Sequence, residues 1–233
     1  MKKNLYSPTL SDEVARISPM EIICNDQVKL RACLQREMQN ASEQPSAWFQ
    51  LANATEALCR HFALNDLSPL GLSDEYKAGA SAAGALMRYL SETQKNALEH
   101  MTSLRIYQGS ETMLLDRNTR RNLELTESIR GRSRKGSLLW LLDKTSTAMG
   151  GRLLRSWIEQ PLVDEAKINR RLDAVGEFAQ EHVLTMTLAE ELQGVYDIER
   201  LLSKVAYKSM NARDCLSLCA SLQKVPKIRE LLR

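Results

Sequence analysis

The sequence predicts an all-α protein: an irregular multi-helix core domain with one small β-hairpin and a short α/β remnant at the N-terminus. Apolar residues make up 43% and charged residues 26% of the 233 positions, as in ordinary soluble globular proteins. Aromatic residues make up only 5%, which favours helices filled with Leu and Ala. Apolar side chains also recur at helical spacing through most of the chain. The length allows one large or two small domains.

The N-terminal region predicts a short helix capped by Ser11 or Asp12, a break at Ser18-Pro19 and a strand-like EIIC. Residues 27–46 are polar and end in a connector, and residues 47–64 form a helical stripe. A further helix is predicted from Asp74 to about Gln94. Small residues fill its middle and would let a neighbouring backbone approach closely: Gly79, Ala80, Ala82, Ala83, Gly84 and Ala85.

The β-hairpin is predicted around a Gln108-Gly109-Ser110 turn. Helices dominate after it, with Pro226 as a break or a new first turn in the last one. The predicted helices cover residues 119–127, 137–143, 148–159, 165–180, 184–193, 196–207 and 212–232.

The stretch KTSTAMGGRLLRSWIEQPL (residues 144–162) predicts a tightly packed corner between two helices. Thr147 is the expected N-cap, and Gly150 and Gly151 remove Cβ atoms where another part of the chain must lie against the helix start. Pro161 forces Gln160 out of the helix, and Asp164 caps the next one. The predicted buried stripe consists of Met149, Leu153, Leu154, Trp157 and Ile158.

Whole-chain properties exclude several function classes. Lys and Arg exceed Asp and Glu by only 32 to 29, so the net charge of +3 does not indicate a nucleic-acid or membrane partner. No apolar run approaches the roughly 20 residues of a membrane span. The first ten residues lack the apolar segment of a signal peptide, so we expect a cytoplasmic protein.

Catalytic and metal-binding patterns are absent from the sequence. It contains no phosphate loop, nucleophile elbow or HExxH motif. Asp197 and Glu199 are two residues apart and would point to different sides of a helix, which argues against a catalytic pair. Asp197 is instead expected to be a cap or dipole group at a helix N-terminus, with Glu199 and Arg200 as partners for neighbouring helices. Five cysteines without a CxxC pair predict reduced thiols. Cys215 and Cys219 are expected to be buried on one helix face; a shared metal is the alternative, but no His or third Cys lies near them in sequence. Three histidines share no motif: His61, His100 and His182.

Positive charge is concentrated in DRNTRRNLELTESIRGRSRKGS (residues 116–137), where seven cations face three carboxylates around a Gly/Ser loop. Such a loop can neutralise phosphates without reading sequence, because backbone contacts need only charge and reach. The candidate contacts are Arg130, Arg132, Arg134 and Lys135. No aromatic residue stands among them to stack on bases, and a solvated loop beside an ion-paired helix is the alternative interpretation.

Residues 115–178, followed by DIERLLSKVA (residues 197–206), closely resemble the core domain of the MutS family of DNA mismatch recognition proteins. The resemblance extends back through AAGALMRYLSETQK and forward through ARDCLSLCASL. SDEVARISPMEIIC is similar to the end of the family's connector domain. The resemblance implies an end of the connector at residues 1–26, a linking helical segment at 27–66 and an incomplete core domain at 67–233.

The resemblance also implies a mechanical role. In the family a core segment links the DNA clamp to the ATPase, and the corner at Thr147, Gly150, Gly151, Trp157 and Pro161 would be a close-packed joint in it. The mismatch reader, lever helices, clamp and ATPase domain are not found, so the chain is expected to be a fragment without enzymatic activity or cofactor. An exposed apolar patch and self-association are expected in consequence.

Cofactors and partners are expected to bind the parent, the longer protein of which this chain would be a fragment. ATP and Mg²⁺, duplex DNA, the remaining domains of the family, a MutL-type partner and a second copy of the parent are implied by the resemblance, and a membrane is not. The competing hypothesis is a stand-alone helical protein-interaction scaffold without a DNA role.

Overall fold

The computed structural model describes residues 8–27, 41–72, 74–93, 98, 101–104, 106 and 112–233. The chain divides into two compact units, Met1–Tyr107 and Gln108–Arg233. Helices dominate both, which confirms the predicted fold class. The division falls between Tyr107 and Gln108, whereas the sequence prediction places its domain boundaries after residues 26 and 66.

In its described residues, the first unit combines three helices with a small sheet. Its elements are α1 (Pro8–Ile17), β1 (Ile22–Cys24), β2 (Ala41–Glu43), α2 (Leu51–Phe62) and α3 (Lys77–Thr93), with 3₁₀ turns at Ser46–Phe49, Ser68–Leu70 and Asp74–Tyr76. The predicted strand β1 pairs in parallel with β2, Ile22 lying opposite Ala41. The predicted cap at Ser11 or Asp12 is wrong, because α1 begins at Pro8 and contains both residues.

Small side chains form the core between α2 and α3, as the sequence predicts. Ala54 and Leu58 of α2 and Ala85 of α3 are fully buried. A Cβ atom on Gly84 would lie 2.5 Å from the Ala54 Cβ, a separation that real Cβ atoms essentially never show. The two helices therefore approach each other more closely than an alanine at position 84 would permit.

A carboxylate joins the sheet to α3. Both Glu21 oxygens accept from the Tyr89 hydroxyl at 2.8 Å, and Glu21 Oε1 also accepts from the Ser42 hydroxyl at 3.0 Å. The bond to Glu21 raises the pKa of Tyr89. These contacts fix the short parallel strands against the helix, which two strands of three residues would not achieve alone.

The described part of the second unit consists of helices joined by loops and turns, with one isolated bridge. Its helices are α4 (Arg117–Asn122), α5 (Leu138–Leu142), α6 (Ala148–Glu159), α7 (Glu165–Gln180), α8 (His182–Gln193), α9 (Ile198–Ala206) and α10 (Ala212–Leu231). The bounds of α6 and α7 match the predictions. Helix α4 is shorter than predicted, ending at Asn122, and Pro226 lies inside α10 without ending it.

The predicted hairpin turn at Gln108-Gly109-Ser110 lies outside the described residues. The segment that follows pairs elsewhere in the second unit. Thr112 forms an antiparallel bridge with Leu162, and the Met113 amide donates to the Pro161 carbonyl at 2.7 Å. The residues just before α4 thus lie along the corner after α6.

Apolar burial in the second unit is sparse among the described residues, where the buried apolar side chains are Leu125, Leu139 and Leu201. The predicted buried stripe of α6 is wrong, since Leu153 is 53% and Trp157 39% exposed and Met149, Leu154 and Ile158 are half-buried. Apolar side chains of α7 are exposed as well, with Leu172 at 60% and Val175 at 63%. Apolar periodicity marks which face of a helix is apolar, but neighbouring elements decide whether it is covered.

Polar contacts hold the last three helices. Glu191 of α8 accepts from Lys224 at 3.1 Å and from Lys227 at 2.5 Å, both on α10. The buried Ser221 hydroxyl accepts from the Tyr196 amide at 3.0 Å. No helix in the described ranges combines the length and apolarity needed to cross a bilayer.

Substitution of Gly84 tests the close approach of α2 and α3. We expect Gly84→Ala to lower the free energy of unfolding by about 1–3 kcal/mol, because the new methyl group overlaps the Ala54 backbone. Gly79→Ala on the same helix meets nothing within 4 Å and should stabilise by about 0.5 kcal/mol. Urea denaturation measures both; equal effects of the two substitutions would contradict the close contact.

The exposed apolar side chains of the second unit predict self-association. Sedimentation velocity at rising concentration should show species larger than the monomer, and an apolar-surface dye should bind. Leu172→Glu should weaken association, whereas Ala174→Glu adds the same charge away from the Leu172 face of α7 and should change it less. A strictly monomeric profile without dye binding would contradict this expectation.

Candidate nucleic-acid interface

The basic loop (residues 128–136) is a closed turn stabilised by its own backbone. The Ser128 amide donates to the Ser133 carbonyl at 2.9 Å, and the Arg132 amide donates to the Ser128 carbonyl at 3.1 Å. Glu124 accepts from the Ile129 amide at 2.6 Å, which ties the turn to the residues after α4. Gly136 has φ +92°, a conformation that favours glycine, and it ends the loop just before α5.

Three of the four predicted phosphate contacts project from this turn. Arg130, Arg132 and Lys135 are exposed, and within the described part of the chain they form no ion pair. Their positive charge is therefore not neutralised locally. The arrangement can attract a polyanion through its backbone, and no aromatic side chain in the loop provides a surface for base stacking.

The fourth predicted contact, Arg134, has an internal partner. Its guanidinium forms an ion pair with Asp143, which lies just after α5. Asp143 Oδ1 also accepts from the Thr145 hydroxyl at 2.6 Å and from the Thr145 amide at 3.1 Å. These Thr145 bonds, and then Arg134, hold the pKa of Asp143 below its usual value. Asp143 therefore connects the basic loop to the segment that enters α6.

The glycine corner (residues 143–162) begins with the predicted cap. The Thr147 hydroxyl accepts from the Gly150 amide at 3.0 Å, which confirms Thr147 as the N-cap of α6. A Cβ atom on Gly150 would lie 3.1 Å from the Thr147 Oγ1, and one on Gly151 3.3 Å from the Thr145 Oγ1. The glycines thus accommodate the chain's own capping segment, so their close neighbour is local.

The end of the corner is fixed by one backbone conformation and two contacts. Gln160 leaves the helical conformation at φ −134°, ψ 71°, as the following proline predicts. Asp164 Oδ1 accepts from the Lys167 amide at 3.0 Å and caps α7. The Arg171 guanidinium lies 3.7 Å from the centre of the Trp157 ring, a cation–π contact between α6 and α7. Trp157 therefore orients two consecutive helices although it is not buried.

Arg152 joins the corner to the start of α9, forming the Arg152 bridge. It donates to both Asp197 oxygens at 2.8 and 2.7 Å, and to Glu199 Oε2 at 2.6 and 3.1 Å. Asp197 also caps α9 by accepting from the Arg200 amide at 3.2 Å. Asp197 precedes the helix, so its side chain converges with that of Glu199 on one guanidinium, although residues two apart within a helix point to different sides.

The electrostatics of the Arg152 bridge follow from its geometry. The Arg152 bond lowers the pKa of Asp197 to about 2, and the two carboxylates raise the pKa of Arg152. Both charged forms are thereby favoured at neutral pH. The lowered pKa of Asp197 is the opposite of what a general acid requires, so the bridge is suited to holding two segments together.

A groove of about 670 Å³ lies between the basic loop and the corner, lined among others by Arg134, Asp143, Arg152 and Arg155. Each of these arginines has a carboxylate partner, Arg155 pairing with Glu159 at 2.9 Å. In the described ranges, no group of three His, Cys, Asp or Glu side chains is arranged to hold a metal ion. The predicted burial of Cys215 and Cys219 is wrong, because both thiols lie on the exposed face of α10.

Removing Arg152 tests the Arg152 bridge. Arg152→Ala should lower stability at pH 7 more than Arg155→Ala, whose arginine pairs only within its own helix. The folded pKa of Asp197 is depressed to about 2, so its contribution is present above about pH 4 and is lost as pH falls toward 2. Denaturation curves should therefore show the stability difference between wild type and Arg152→Ala shrinking over that interval. A difference independent of pH would contradict the ion pairing.

Comparison with known proteins shows which family the chain resembles. The family model described as MutS domain III matches residues 118–233, and that described as MutS domain II matches residues 7–102. The chain is 40% identical to the DNA mismatch repair protein MutS of Lachnoclostridium phytofermentans, over 95% of this chain and 24% of that protein. It is 43% identical to the MutS of Ruminiclostridium cellulolyticum, over 96% of this chain and 26% of that protein.

The MutS of Alkaliphilus metalliredigens is 41% identical over 98% of this chain and 26% of its own length. The chain thus spans about a quarter of the length of the curated relatives that it matches. The two family models divide it at nearly the same place as the two compact units do. By its sequence and by the order of the two matching domains, the chain belongs to the MutS family of DNA mismatch repair proteins.

Proposed function

We propose that this chain is the connector-and-core part of a MutS-type mismatch repair ATPase, and that its basic loop contacts DNA phosphates without reading sequence. The observation that carries the DNA contact is the exposure of Arg130, Arg132 and Lys135 on one closed turn. Their charges have no carboxylate partner among the described residues. A turn closed by backbone hydrogen bonds presents them at lower entropic cost than a flexible tail would.

The remaining functions in this proposal belong to the whole protein. ATP with Mg²⁺ would bind outside this chain, whose sequence lacks a phosphate loop. The core would link clamp and ATPase mechanically, and the partners would be duplex DNA, a MutL-type protein and a second copy of the parent. The Arg152 bridge and the capped corner support a mechanical role, because they fix helices relative to one another through discrete contacts.

Fluorescence anisotropy with a labelled duplex tests the DNA contact. The chain should bind weakly and lose affinity steeply as salt rises, because phosphate contacts release counterions. Replacing Arg130, Arg132 and Lys135 together by Ala should abolish most binding and reduce the log–log salt slope by about 3. Duplexes of unrelated sequence should bind equally, since phosphate contacts carry no sequence information.

The matched control removes three cations elsewhere in the same unit. Lys208, Arg213 and Arg233 are exposed and lie outside the basic loop. Their joint replacement by Ala lowers the net charge by the same amount and should leave most of the affinity. Equal losses in the two triple variants would mean that net charge, and not the loop, attracts DNA.

A further inference from the structure

The contact between the basic loop and Asp143 places an acidic group in competition with any phosphate for Arg134. Arg134 is the one predicted phosphate contact whose charge is already paired, and its side chain is 56% exposed while that of Asp143 is 15% exposed. A partner that remains accessible to solvent can be replaced, because an exposed ion pair contributes little net free energy. The pair is therefore exchangeable.

Asp143 does not lose all its partners when Arg134 leaves. Its Oδ1 atom keeps the two Thr145 bonds at 2.6 and 3.1 Å, whereas Arg134 binds the other oxygen, Oδ2. The cost of leaving Asp143 ionised without Arg134 is thus limited by hydrogen bonds that already favour the charged form. Oδ1 therefore accepts hydrogen bonds from the glycine corner, and Oδ2 pairs with the basic loop.

Asp143 also lies against the start of α6. A Cβ atom on Gly151 would be 3.5 Å from Asp143 Oδ2 and 3.3 Å from the Thr145 hydroxyl oxygen. The next residue, Arg152, begins the bridge to α9. A change at Oδ2 therefore occurs beside the backbone that carries the bridge.

We infer that the Arg134–Asp143 pair is an autoinhibitory contact, in which Asp143 occupies Arg134 until a phosphate group of a nucleic-acid backbone displaces it. The inference rests on the proposed phosphate-binding role of the basic loop. When a polyanion binds, Arg134 leaves Asp143 and pairs with phosphate. Asp143 then keeps only its hydrogen bonds from Thr145. Phosphate binding to the basic loop thereby changes the contacts of the segment that caps α6.

The test is a double-mutant cycle read by anisotropy with a labelled 20-base-pair duplex at low salt. Asp143→Asn keeps an oxygen for Thr145 but removes the competing charge, so affinity should rise by about two- to fivefold, the factor expected for an exposed pair. In an Arg134→Ala background the same substitution should give no gain. Glu127→Gln removes a carboxylate from the same groove, and any gain from it should persist without Arg134.

Each outcome of this cycle supports or overturns the autoinhibitory contact. A gain from Asp143→Asn that is equal with and without Arg134 overturns the autoinhibitory contact and leaves the proposed function standing, as does the absence of any gain in a chain that binds. Binding seen only in the Asp143→Asn chain, and lost with Arg134, supports the contact. Absence of binding in all variants overturns both proposals.

A second measurement uses the wild-type chain, in case Asp143→Asn does not fold. Hydrogen exchange at the amides of residues 144–151 should become faster when the duplex is bound, because Asp143 then loses one of its partners. Exchange in α10 serves as the internal reference and should not change. Unchanged protection of residues 144–151 in the bound chain would overturn the inference.

Discussion

Arg152 is the contact on which the arrangement of the second unit depends. It links residues 45 and 47 positions further along the chain, and it reaches two carboxylates with one guanidinium. Only three described apolar side chains of this unit are buried, so packing alone does not set the position of α9 relative to α6. A planar group with several donors fixes an orientation as well as a distance.

In the first unit, close packing of small side chains holds the two principal helices together. These helices approach through Ala54 and Gly84, and the contact leaves no space for a methyl group. Dense packing of small side chains needs no charged residue, because dispersion contacts and exclusion of water hold the helices. The two units of one chain therefore differ in what holds their helices: close van der Waals contact in the first and charged hydrogen bonds in the second.

Features encoded within a few residues could be predicted from the sequence. A hydroxyl or carboxylate before an apolar periodic run predicted the caps at Thr147 and Asp164, and both are present. The small residues of α3 predicted a close helix contact. Such features depend on local backbone geometry, which the residue types themselves restrict.

Features that depend on distant residues could not be predicted in the same way. The apolar face of α6 was expected to be buried, but periodicity does not say whether another element covers it. Strand β2 was missed because three residues carry no alternation, and its partner stands 19 residues earlier in register. The convergence of Asp197 and Glu199 depends on Arg152 lying opposite, which the local sequence does not specify.

The basic segment illustrates why a charge count overstates what a surface offers to a ligand. The sequence shows seven cations against three carboxylates in residues 116–137. The fold assigns Arg134 to an acid outside that segment and leaves Arg130, Arg132 and Lys135 on the turn. Because Coulomb attraction to a polyanion depends on charge that is not already paired nearby, these three residues determine the attraction of the loop. Tertiary ion pairing therefore decides how much positive charge this surface offers to a ligand. The charge count of the local sequence gives only the upper limit of that amount.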